Sequence, residues 1–261
     1  MQSSTLALMA AAGRITPMPD AAIFSDTHGE PKAVYDWLSW LEKQLPYPVI
    51  RASKGDLWKS ASTPRRTRDG LRTYIPTGIP VFMVNGLDKG IGKRQCTRDF
   101  KVDVITRECR TMLGLKRVTS GMGVLVSMWI GISTDESQRV KESRQPWIKA
   151  RWPLLEEGYS RAGCIAWMES KGFPTPPRSA CTYCPYHDDR SWLALTPGEF
   201  ADAVQKEKEL QAAYASTTEI KGVPYFHASR VPLDTVVFKD AEPDLFSENT
   251  EAVECEGMCG V

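Results

Sequence analysis

The segment RSACTYCPYH places Cys181 and Cys184 in a C-x-x-C spacing followed by Pro185. Such a turn presents two thiolates to one centre, but a tetrahedral site needs further ligands. Cys164 in SRAGCIAWM and Cys96 in KRQCTRDFK are the natural candidates. Four thiolates gathered from three segments suit an iron–sulfur cluster or zinc. His187 is a possible substitute ligand or an ordinary capping histidine. Cys109, within TRECRTMLG, reads as a small buried apolar residue. Near the end of the chain Cys255 and Cys259 form C-E-G-M-C, either a dithiol able to cycle through a disulfide or two incidental thiols in a tail.

Two basic segments point to an anion. KRQCTRDFK surrounds Cys96 with Lys93, Arg94, Arg98 and Lys101, and GISTDESQRVKESR carries Arg139, Lys141 and Arg144. Guanidinium forks suit phosphate or sulfate, and lysines supply point charge. Asp26 and Glu30 in FSDTHGEP, with Asp135, are carboxylates suited to a ribose hydroxyl or a phosphate-bound metal, whereas Glu136 reads as a helix cap.

With 33 Lys and Arg against 32 Asp and Glu in 261 residues, the chain carries no global field for nucleic acid or an anionic membrane. Any phosphate recognition is therefore local. No apolar run approaches the roughly 18 residues of a membrane span, and the opening lacks the basic start of an export signal. A reducing, cytoplasmic setting follows, in which close cysteines favour metal or redox chemistry over disulfides.

The elements that must carry these residues alternate. STLALMAAAG predicts a helix ended by Gly13, DAAIFSD a buried strand, AVYDWLSWLEKQL a helix with Val34, Leu38, Leu41 and Leu45 on one face, and YPVIRAS another strand. KSASTPRRTRDGLRT is expected to be a loop, IPVFMVN is apolar, and VLVSMWIGIS predicts a strand ending just before DESQR, where ligands of open parallel sheets bind. Residues 152–192 break into short pieces. TPGEFADAVQKEKELQAAYA is a helix with a capping box from Thr196 to Glu199. The expected architecture is α/β, a three-layer doubly wound and mostly parallel sheet over 1–195 that includes an irregular Cys-rich segment, followed by a C-terminal helix and Cys-containing tail over 196–261.

Taken together, QSSTLALMAAAG, FSDTHGEP, KRQCTRDFK, GISTDESQR, SRAGC and SACTYCPYH resemble the PP-loop superfamily of adenine nucleotide alpha hydrolases. The similarity is to its branch containing 3′-phosphoadenosine 5′-phosphosulfate (PAPS) reductase and phage-encoded relatives. That family's phosphate loop reads S-G-G-x-D-S-[ST] between a strand and a helix. Here Met1 falls on the variable position, Gln2 on the acidic one, and Ser3 and Ser4 on the hydroxyls. The opening thus reads as the back half of such a loop, and the coding sequence upstream of Met1 is expected to encode a strand ending in Gly-Gly.

The resemblance implies nucleotide contacts from Ser3, Ser4, Asp26, Thr27, Gly131 and Ile132. It implies substrate-anion contacts from Arg94, Arg98, Lys101, Arg139 and Arg161. A four-iron four-sulfur cluster on Cys96, Cys164, Cys181 and Cys184 is implied, with zinc as the alternative. VECEGMCGV loosely resembles the reductases' terminal E-C-G-[LI]-H, which makes Cys255 and Cys259 the catalytic thiols. The expected ligand is ATP, PAPS or its unphosphorylated analogue APS, with a thiol reductant such as thioredoxin, no membrane, and a homodimer as one assembly. Two other functions compete: an ATP-dependent sulfur transferase acting on nucleic acid through the 59–72 basic loop, and a non-catalytic cluster- or zinc-binding partner protein.

Overall fold

The computed structural model describes residues 1–118, 120–218 and 220–239. Helix α1 (Gln2–Ala11) is buried on nearly every side, as its apolar and small residues require, and so serves as a central helix. Strand β1 (Ala22–Asp26) pairs in parallel with β2 (Val49–Ser53) through the crossover helix α2 (Lys32–Leu41), whose Val34, Leu38 and Leu41 form the buried stripe.

The basic stretch expected to be a loop is not one. It begins in α3 (Leu57–Ser62), capped by Asp56, and continues as a small hairpin of β3 (Arg65–Arg66) and β4 (Thr73–Tyr74). Asp69 and Gly70 supply the turn, with Asp69 accepting the Leu71 N–H and Gly70 at φ 72°. Strands β5 (Phe82–Asn85) and β6 (Asp88–Ile91) form a second hairpin, turned at Gly86.

A short helix α4 (Gln95–Thr97) runs through a π-helical turn into α5 (Asp103–Met112). Strand β7 (Val126–Trp129) then pairs in parallel with β8 (Ile148–Arg151), followed by α6 (Pro153–Glu156) and α7 (Arg161–Ser170). After the Cys-rich segment come α8 (Asp189–Leu193), α9 (Pro197–Ala215) with its capping box complete, and β9 (Val223–Tyr225), which pairs antiparallel to β5.

The result is mixed α/β with short parallel and antiparallel sheets, rather than one sheet: β1–β2 and β7–β8 are separate parallel pairs. One core joins Ile23, Ala52, Val104, Ile105, Met128 and Ile148 around α5 and the parallel strands. A second joins Leu57, Val81, Phe100, Tyr183, Trp192, Leu210 and Phe226, so α9 packs onto the Cys-rich segment and the hairpins. Among the described residues no helix is long and apolar enough to cross a membrane.

Candidate functional site

Most of the chemistry-bearing residues meet in one cleft of about 170 Å³. Its walls come from the first turn of α1, the loop after β7, the segment around α4, the start of α7 and the Cys-rich loop. The first two meet because of Gly131. A Cβ there would lie 2.7 Å from the Ser3 backbone nitrogen, so only glycine permits this approach. The Gln2 side-chain amide donates to Ser133 Oγ across the same junction (3.3 Å).

Cations dominate the walls: Arg94, Lys101, Arg139, Arg161 and Arg178, with Glu136 as the carboxylate among them. Each is held by local structure. Arg139 pairs with Glu136 at 2.7 Å, the two lying one helical turn apart. Arg161 begins α7, whose first turn is tied down by Asp135 accepting the Arg161 N–H (2.8 Å). The Arg94 guanidinium lies 5.0 Å over the Tyr186 ring. Lys101 faces Glu30 at 4.0 Å, both nearly buried, and Ser179 donates to the same carboxylate. Arg178 contacts Asp188, Ser191 and the Tyr186 carbonyl, which clamps the Cys-rich loop.

The thiols divide. Cys96, Cys181 and Cys184 line the cleft, whereas Cys164 is fully buried among Leu6, Met9, Ile15 and Leu154 in a neighbouring core. Among the described residues, no group of three or more His, Cys, Asp or Glu side chains stands close enough to share an ion. Burial pushes the Cys181 thiol well above its ordinary range and the Cys164 thiol up to about 11. Cys109, buried on α5, is likewise pushed up to about 11. In metal-free protein, iodoacetamide is therefore expected to label the half-buried Cys96 and Cys184 before Cys181, Cys164 or Cys109, as read by peptide mass spectrometry.

The turn after β1 serves the cleft indirectly. Asp26 accepts hydrogen bonds from the His28 N–H (2.7 Å) and the Tyr35 hydroxyl (2.9 Å), so it braces the turn and does not reach the cleft wall. Thr27 is fully buried with Oγ1 3.3 Å from Cys181 Sγ. His28 adopts φ 59°, and a Cβ on Gly29 would lie 2.7 Å from the Tyr183 hydroxyl. The Thr182 N–H donates to the Gly29 carbonyl (2.8 Å), locking the C-x-x-C loop against this turn.

Several expected ligands lie elsewhere. Ser3, Gly131 and Ile132 line the cleft, but the Ser4 hydroxyl accepts from Trp37 Nε1 (3.0 Å) in an adjoining hollow of about 120 Å³. Arg98 is exposed and away from the wall, because the π-helical turn directs Lys101 inward instead. Cys255 and Cys259 lie outside the described residues. Arg178, which the sequence reading missed, sits three residues before Cys181; its signal was that adjacency.

His187 is no cleft ligand in this arrangement. It packs 4.7 Å from the Trp192 ring, and burial depresses its pKa from 6.5 to about 4. Between those values the unfolded chain binds a proton that the folded chain refuses. The stability present above pH 6.5 is thus lost as pH falls toward 4, by up to ~3 kcal/mol. Urea unfolding from pH 7.5 to 4.5 is expected to show this fall, and a His187→Phe chain a shallower one.

No family model matches this chain, nor does any curated protein or solved structure. The class rests on the site itself: an α/β protein with a cation-lined, thiol-bearing cleft.

Proposed function

We propose that the chain is a sulfonucleotide reductase-like enzyme of PP-loop type, binding the phosphate and sulfate groups of an adenine nucleotide in the cation-lined cleft. The observation that carries this reading is the convergence of Arg94, Lys101, Arg139, Arg161 and Arg178 with three thiols around one cleft, from segments far apart in sequence. A solvated basic surface has no reason to gather behind thiols. The adjoining hollow, lined by Phe24, Val34, Trp37 and Leu38, suits a planar heterocycle next to the anion. On this reading the two parallel pairs belong to a doubly wound sheet with its ligand beyond the carboxyl ends of the strands.

In this reading the arginines and Lys101 hold the anion, and the first turn of α1 presents backbone N–H groups to it. A tail thiolate, Cys255 or Cys259, attacks the sulfate sulfur: an S–S bond forms, the S–O bond breaks and the nucleotide leaves with the electron pair. The second thiolate then attacks the cysteine sulfur, sulfite departs and a disulfide remains. An external dithiol such as thioredoxin re-reduces it. Cys96, Cys181 and Cys184 line the cleft and, drawn together, would be the thiolate ligands of an iron–sulfur cluster or zinc.

A single turnover with ³⁵S-labelled PAPS or APS tests the reading. Label is expected on the peptide carrying Cys255 and Cys259, and its absence overturns the reductase step. Iron, sulfide and zinc analysis of anaerobically purified protein decides the centre. A nucleic-acid acceptor is favoured by one feature, the exposed Arg65, Arg66, Arg68 and Arg72 on the β3–β4 hairpin. Labelled DNA or tRNA retained by the native chain, and lost on neutralising Arg65, Arg66 and Arg68, would shift the reading to sulfur transfer.

A further inference from the structure

Helix α5 carries a second charged stripe. Asp103, Arg107 and Arg110 fall at i, i+4 and i+7 and so share one face, while Val104, Ile105 and Cys109 join the core around the parallel strands. The charged face opens into a cleft of about 440 Å³, which is lined also by Lys54 after β2, Asp99 in the π-helical turn, Arg117 after α5 and Gln145 ahead of β8. Val104 and Trp147, 1% and 4% exposed, give it an apolar floor. It shares no lining residue with the thiol-bearing cleft: within the π-helical turn, Lys101 lines the first cleft and Asp99 this one.

The cations here differ from other arginines of the chain. Arg14, Arg51 and Arg151 each hold a carboxylate at 2.7–2.9 Å. Among the described residues, Lys54, Arg107, Arg110 and Arg117 have no carboxylate within 4.0 Å, although Asp99 and Asp103 line the same cleft. The Arg107 guanidinium donates to the Ser53 carbonyl (2.8 Å), which ties α5 to the end of β2. Lys54 Nζ lies 5.2 Å from the centre of the Phe100 ring. Arg110 Nε is buried and has no hydrogen-bond partner, whereas a buried donor normally has one. Four positive charges gathered without a direct counter-charge repel one another, and a bound anion relieves that repulsion.

The lining also defines the ligand. Three guanidinium forks and one ammonium match the oxygens of phosphate groups. The two carboxylates accept hydrogen bonds and repel a bare polyanion, so they select a compound that carries hydroxyls beside its phosphates. The volume falls within the roughly 300–1,000 Å³ of small-molecule sites. We propose that this cleft is a second anion site, which takes a small phosphorylated compound bearing hydroxyls, of the sugar-phosphate class. Its phosphates sit among Lys54, Arg107, Arg110 and Arg117, and its hydroxyls donate to Asp99 and Asp103. The site stands independently of the sulfur chemistry assigned to the first cleft.

Phenylglyoxal, which modifies guanidinium groups, tests the site on the native chain, with fructose bisphosphate as the probe and peptide mass spectrometry as the readout. Saturating probe is expected to slow modification of Arg107, Arg110 and Arg117 and to leave the exposed Arg65, Arg66 and Arg68 unchanged. Absence of protection, or equal protection at the hairpin arginines, overturns the proposal. Isothermal titration of the Arg117→Gln chain, altered at an exposed position, is expected to show the probe bound about 10-fold more weakly; unchanged affinity overturns it. Asp103→Asn is expected to tighten inorganic pyrophosphate and weaken fructose bisphosphate, and a shift of both in the same direction overturns the sugar-phosphate assignment. A labelled oligonucleotide that protects these arginines where the sugar phosphate does not overturns it in favour of a nucleic-acid backbone. Arg139→Ala is expected to leave this site unaltered, so the two clefts can fail separately.

Discussion

Replacing Arg139 with alanine is expected to weaken adenine sulfonucleotide binding by about 10- to 100-fold, the loss of one or two charge-assisted hydrogen bonds worth ~1.5–3 kcal/mol in total. Two effects act in the same direction. The guanidinium fork is removed from the anion, and Glu136, now held at 2.7 Å by Arg139 and only 14% exposed, is left as a naked carboxylate facing it. Arg139→Lys restores charge without the planar fork and is expected to recover only part of the affinity. Glu136→Gln in the Arg139→Ala background removes the repulsion and is expected to regain several-fold. Isothermal titration at two salt concentrations measures all three. An Arg139→Ala chain binding as tightly as the native one removes the cleft from nucleotide recognition.

Glu207 supplies the largest expected effect on stability. Its carboxylate sits on α9 at 1% exposure and accepts the backbone N–H groups of Phe226 (2.7 Å) and Leu233 (2.8 Å). One side chain thereby pins the whole segment after β9 onto the helix. Burial pushes its pKa up while the two N–H groups pull it down, burial prevailing. Glu207→Ala leaves two buried donors unmatched and opens a cavity, and is expected to cost ~3 kcal/mol. For a chain of this size that is a fall of roughly 10 °C in Tm by calorimetry. Glu207→Gln keeps the volume and one acceptor and is expected to lose about half as much. A Tm unchanged by Glu207→Ala would show that the segment is held by its apolar contacts at Phe226 and Leu233 instead.

Much of this was legible in the amino-acid order because it is local physics. The buried helix at Gln2–Ala11, the stripe of Val34, Leu38 and Leu41, the strands at Ala22–Asp26 and Val126–Trp129, and the Thr196–Glu199 capping box each follow from periodicity or from end chemistry within a few residues. The β3–β4 hairpin escaped because two-residue strands rich in Arg carry no alternation to read, and its pairing is set by the Asp69–Gly70 turn and by Thr218 accepting the Thr73 N–H. Strand β8 escaped for a related reason: IKAR is recognisable only through the partner that buries Ile148 and Ala150.

The sequence by itself determined that thiols and guanidinium groups lie side by side along the chain, Cys96 among Lys93, Arg94, Arg98 and Lys101 and Cys181 just after Arg178. Which of them meet was decided by tertiary structure. Arg98 and Lys101 are three residues apart with the same charge, yet the π-helical turn buries Lys101 against Glu30 and leaves Arg98 outside. Cys164 and Cys181 look equivalent in spacing, yet α7 packs Cys164 into the core around α1 while Gly29 holds the Cys181 loop at the cleft. Side-chain direction depends on how each element is rotated against its neighbours, and that rotation is fixed by contacts between segments more than a hundred residues apart, such as Gly131 with Ser3.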